Sequence, residues 1–126
     1  MRLFVVVLVS FVSSMSVAQD STHITQRVGM MTGKTLQSLQ ECDTSKEITS
    51  QVKKISDQIF NDAFPDDSYL PYKNLYKEHY KVGEAEAIAE FKSAKKTGSE
   101  KAFCDKVLED SLEIISTYNL VTKTDK

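Results

Sequence analysis

The sequence predicts an all-α fold, a four-helix up-down-up-down bundle closed by one disulfide, and three observations predict it. Gly and Pro are scarce, at four and two in 126 residues, and β-branched residues are scattered among Lys, Glu and Ala, a composition that favours helices over strands. Apolar residues recur at steps of three and four in four separate segments, the spacing that lines one face of a helix. The two cysteines, Cys42 and Cys104, fall at the end of the first segment and in the first turns of the fourth. Those two ends share a pole when the chain alternates in direction, and a disulfide needs its Cα atoms within about 7 Å.

Ahead of the bundle, Met1-Arg2 leads into an apolar run from Leu3 to Val12 and then into Ser13-Ser14-Met15-Ser16-Val17-Ala18. This is the charged, hydrophobic and small-residue order of a secretory signal, with Ser16 and Ala18 at the two positions that require small side chains. The apolar run is about half the roughly 20 residues that span a bilayer. Residues 1–18 therefore read as a signal peptide, residues 19–120 as the bundle domain and residues 121–126 as a disordered tail. Export places the cysteines in an oxidising compartment, where they pair.

In the first segment, Ile24, Val28, Met31, Thr35, Leu39 and Cys42 share a face, and Asp43-Thr44 ends it. Thr44-x-x-Glu47 then reads as a capping box. The second helix carries Ile48, Val52, Ile55 and Ile59, joined by Phe60 and Ala63. Phe64-Pro65-Asp66-Asp67-Ser68 breaks it, and Pro71 suits the first turn of a third helix capped by Asp67 or Ser68. Tyr72, Leu75, Tyr76, His79, Tyr80, Gly83, Ala87, Phe91 and Ala94 form that helix's inner face, with Gly83 as a candidate kink. Thr97-Gly98-Ser99 separates it from a fourth helix with Cys104, Val107, Leu108, Ser111, Leu112, Ile115 and Tyr118 inward, stopping near Asn119.

The functional signals are sparse. The formal charge of −2 becomes −3 when Arg2 leaves with the signal, so neither nucleic acid nor an anionic membrane is an expected partner. His23 and His79 are the only histidines, and neither sits in a metal-ligand spacing. His79 shares a helix side with Glu86 and Glu90 and could hold a divalent ion weakly, but a seam histidine is the commoner meaning, and no metal or other cofactor is expected. No G-x-S-x-G elbow or C-x-x-C-H haem site occurs, which leaves binding as the expectation and enzymatic chemistry as the exception. Gly29-x-x-x-Gly33 reads as tight internal packing in a bundle rather than a membrane seam.

Tyr69, Tyr72, Tyr76 and Tyr80 run along the start of the third helix, with Lys73, Lys77 and Lys81 on a neighbouring face. Tyrosine offers large area with one polar tip, so this stretch is the candidate protein-partner surface. Core packing of the tyrosines is the competing reading.

At the level of architecture, an exported helical domain of this size, with a cysteine late in an early helix, resembles the immunity proteins that protect bacterial cell walls from type VI secretion amidases. It is also similar, in size and in its single long-range disulfide, to periplasmic acid-stress chaperones. No shared motif carries a functional residue over. The expected function is thus a small exported, non-enzymatic protein of the periplasm or extracellular space that binds or inhibits a protein partner. The alternatives are an acid-stress chaperone and a small-ligand or metal carrier.

Overall fold

A computed structural model describes residues 21–124; the signal peptide expected over residues 1–18 lies outside them. The described chain is an all-helical bundle of α1 (Ser21–Glu41), α2 (Lys46–Ala63), α3 (Leu70–Thr97) and α4 (Glu100–Thr124), with a 3₁₀ turn, Asp67–Tyr69, before α3. The Cys42–Cys104 disulfide forms across 62 residues, with Cα atoms 5.6 Å apart.

The chain's turn chemistry sets these limits. At the end of α1 the Asp43 N–H donates to Gln40 and the Thr44 N–H to Leu39, while Asp43 takes φ 52°. That double bond is a Schellman ending with an Asp in the left-handed position. It occupies Thr44, so the cap of α2 falls to Ser45, whose Oγ accepts from the Ile48 N–H. The expected Thr44 capping box is corrected by one residue. Asp66 rather than Asp67 or Ser68 caps the next turn: its carboxylate accepts from the Ser68 N–H and hydroxyl, and these bonds hold its pKa below the ordinary value. Gly98 ends α3 at φ 73° with its N–H on Lys95 and the Ser99 N–H on Ala94. No comparable break stands at Asn119, and α4 continues to Thr124, with the Thr122 hydroxyl bonded back to Tyr118 and Asn119. The expected tail over residues 121–126 is helical as far as Thr124.

The closest contact in the bundle joins α1 to α3. Gly29 lies on the backbone of Tyr76, Gly33 on that of Tyr80, and Gly83 on those of Met30 and Lys34. Numbers rise together on both helices, so α1 and α3 run parallel, the relation that alternating direction gives to first and third helices. The glycines of the G-x-x-x-G pair therefore serve internal packing. Gly83 meets α1 without breaking α3, which is one helix through that position.

The rest of the α1 seam is small and hydroxylated: Thr25, Thr32, Thr35 and Ser38 are buried there. The three threonines donate to carbonyls four residues back, so their burial leaves no unmet hydrogen bond. On the other side of the seam, Val28, Ile55, Ile59, Ala63, Phe64, Tyr76 and Ile114 make the apolar core. On α4 the inward positions are Asp110, Ser111 and Ile114, while Leu112 is 48% exposed. Ser111 is inward as expected, with Cys104, Val107, Leu108, Ile115 and Tyr118 half-buried beside it; of the expected face only Leu112 turns out, and Asp110 and Ile114 turn in.

Candidate functional site

Of the tyrosines expected to face a partner, Tyr76 belongs to the core and Tyr69, Tyr72 and Tyr80 pack on its edge. Tyr76 is 8% exposed and its ring meets Phe60 at 4.8 Å, Phe64 at 6.3 Å and Tyr80 at 6.2 Å between centroids. Its hydroxyl hydrogen-bonds Thr32, and burial pushes its pKa up to about 12. Tyr72 stacks on Phe64, Tyr69 tilts against it, and Tyr69, Tyr72 and Tyr80 are half-buried on the core's edge. Lys77 and Lys81 point to solvent and Lys73 is half-buried. Tyr76 is thus corrected from a contact residue to a core residue. The amphipathic side chain that suits interfaces suits a core equally well once its hydroxyl has a partner.

His79 is not brought together with Glu86 and Glu90 as a metal site. Its Nδ1 lies 3.1 Å from the Leu75 carbonyl, and both glutamates turn to Lys34, at 2.6 Å for Glu90 and 3.9 Å for Glu86. Among the described residues no group of three His, Cys, Asp or Glu side chains could hold a metal ion, and no helix is long and apolar enough to cross a membrane.

What the fold does build is a cleft of about 550 Å³ between α1, α3 and α4. It exists because α3 is drawn onto α1 at the glycines, whereas α4 meets both through a much thinner contact. Met30, Met31, Phe103 and Val107 supply its apolar surface, and Thr35 and Ser38 its small floor on α1. The near end of α4 is fixed by Cys104 in the disulfide and by Phe103, whose ring meets Phe91 of α3 at 6.0 Å. Methionines give such a surface the adaptability to fit a ligand of irregular shape.

The charges around the cleft come mostly in pairs. Lys34 joins Glu86 and Glu90 across the α1–α3 side, and Lys106 sits 3.6 Å from Asp110 on α4. Arg27, exposed at the far end of the α1 wall, has no ion pair among the described residues. A cleft of this size, with mostly apolar accessible surface and six charged groups among its twelve lining residues, has the dimensions of a small-molecule site. A second hollow of about 500 Å³ near the α1–α2 turn is edged by solvated groups such as Gln37, Gln40, Asp43, Lys46 and Glu84.

Asp110 is the unusual member of the lining. Its side chain is 8% exposed while that of its partner Lys106 is 62% exposed, so burial raises the carboxyl's pKa and the lysine only partly opposes this. A carboxyl with a raised folded pKa holds its proton in the folded chain at pH values where the unfolded chain has released it. Its contribution to stability is full below the unfolded pKa and is lost as pH rises through the folded one. Asp110→Asn should therefore raise Tm at pH 7, and the gain should vanish near pH 3, where the wild-type carboxyl is protonated in both states. Thermal unfolding at both pH values checks this; an Asn variant less stable at pH 7 would show that the Lys106 pair outweighs burial.

Sequence reasoning missed the cleft because its lining is spread over three helices and mixes inner with outer positions. Met30 and Lys34 lie off the apolar stripe of α1, and Lys106 and Asp110 have the spacing of an ordinary exposed ion pair. No protein-family model, curated protein or solved structure matches the chain.

Proposed function

We propose that this is a small exported, non-enzymatic binding protein that holds an apolar ligand in the cleft between α1, α3 and α4. The observation that carries the reading is the cleft itself, about 550 Å³ with Met30, Met31, Phe103 and Val107 as its apolar surface. Export is supported by the signal-like order of residues 1–18 and by the disulfide, a bond favoured outside reducing compartments.

The cleft supports a small ligand better than a protein partner. A standard protein interface takes about 20–30 residues a side, and in the tyrosine stretch that would provide one Tyr76 is buried in the core while Tyr69, Tyr72 and Tyr80 are half-buried against it.

Titration with N-phenyl-1-naphthylamine, a neutral apolar dye that brightens out of water, tests the proposal. The oxidised protein should bind one dye with saturable enhancement. Val107→Arg, which places a charge on the cleft wall at a half-buried position, should reduce that affinity at least tenfold with the helical circular dichroism unchanged. Equal dye binding by the variant would place the apolar site elsewhere.

A further inference from the structure

We infer that the cleft takes the single apolar tail of a monomeric amphipathic anion, with the Arg27 guanidinium holding its carboxylate head. The inference rests on the cleft being the binding site and adds the chemical class of the ligand.

The charge arrangement selects the sign of the head. All three carboxylates in the lining, Glu86, Glu90 and Asp110, already lie against a lysine. A cationic head would have to displace Lys34 or Lys106 to find a partner. Arg27 is the lining cation with no carboxylate of its own among the described residues. A guanidinium also matches a carboxylate with two parallel hydrogen bonds, which fixes the direction of the head as well as its charge.

The register along α1 selects the tail. Arg27, Met30, Met31, Lys34, Thr35 and Ser38 follow one another at alternating steps of three and one along the cleft wall. At 1.5 Å per residue the stretch from Arg27 to Ser38 is about 16 Å long. Three bonds of extended chain cover about 3.5 Å, so a tail of roughly a dozen carbons reaches from a head at Arg27 to the end near Phe103. The methionines and Val107 cover that tail, and Thr35 presents no unmet donor to it, because its hydroxyl is bonded to the Met31 carbonyl.

The test is displacement of bound N-phenyl-1-naphthylamine by three twelve-carbon probes below their micelle thresholds: dodecanoate, dodecanol and dodecylamine. Dodecanoate should displace the dye at a concentration at least about tenfold lower than dodecanol or dodecylamine, the lower end of what a charge-assisted hydrogen bond contributes. Arg27 is exposed, so Arg27→Gln should fold normally and lose the dodecanoate advantage, read within the variant as the ratio of the dodecanoate and dodecanol concentrations that displace the dye. Arg27→Lys should keep part of it. Dye binding without any preference for dodecanoate, or a preference that survives Arg27→Gln, would overturn the inference and leave the cleft as the binding site. Absence of dye binding by the wild-type protein would overturn both.

Discussion

Gly83→Ala should destabilise the protein by about 3 kcal/mol or more, enough to lower Tm by roughly 15 °C. A Cβ at this position would stand 1.9 Å from the Met30 carbonyl oxygen and 2.8 Å from the Lys34 nitrogen. Both obstacles are backbone, so no rotamer change relieves them, and the axes of α1 and α3 must separate. Separation also loosens Gly29 on Tyr76 and Gly33 on Tyr80, where added Cβ atoms would stand 2.6 and 2.1 Å from carbonyl oxygens. Propensity pushes the other way: alanine in a helix interior is better than glycine by about 1 kcal/mol. The sign of the measured change therefore decides between a seam and an ordinary helical glycine. Gly98→Ala is the control, because nothing lies within 4 Å of its Cβ and only its φ of 73° resists the change; it should cost about 1 kcal/mol. Urea unfolding of the two variants gives both numbers, and a stabilised Gly83→Ala would mean that α1 and α3 do not meet there.

Replacing both cysteines with alanine should cost about 4 kcal/mol, from the loop-closure entropy that a 62-residue crosslink removes from the unfolded chain. That is a large share of the stability expected for a domain of this size, about 5–15 kcal/mol. The loss should not be spread evenly. The bridge ties the start of α4 to the end of α1, and α4 packs on α1 and α3 far less extensively than those two pack on each other. Hydrogen exchange of the double variant should show the first turns of α4 opening before the α1–α3 seam, a local transition beneath the global one. Uniform loss of protection in all four helices would show that the crosslink acts only on the unfolded state. Dye affinity should fall with the bridge, since Phe103 beside Cys104 forms one end of the cleft.

The helices were legible because each carries an apolar stripe of period 3.6 and each break has its own chemistry: Asp43-Thr44, Pro65-Asp66 and Gly98-Ser99. The disulfide was legible from two cysteines at ends that share a pole. Two features were not. Periodicity gives a helix one buried face, but α1 buries two, and its second consists of Thr25, Gly29, Thr32, Gly33 and Ser38, which carry no hydrophobic signal. Gly29-x-x-x-Gly33 announced a close neighbour without saying which helix it would be. The burial of Tyr76 was illegible for a different reason. Tyr76 reads as amphipathic in sequence, and only its hydrogen bond to Thr32 and its contacts with Phe60 and Phe64 decide that it is inside. The cleft followed neither signal, since it is the space left where α4 stands beside a pair of helices drawn together by glycine.

The central claim is that this space, and no exposed apolar position elsewhere, receives the ligand. Methyl-labelled protein observed by NMR during titration with N-phenyl-1-naphthylamine tests it directly. Resonances of Met30, Met31 and Val107 should shift together and saturate at one equivalent, while those of Leu70, Val82 and Leu120, exposed apolar residues outside the cleft lining, should stay in place. Shifts confined to Leu70, Val82 or Leu120, or small shifts at every exposed methyl without saturation, would contradict the account.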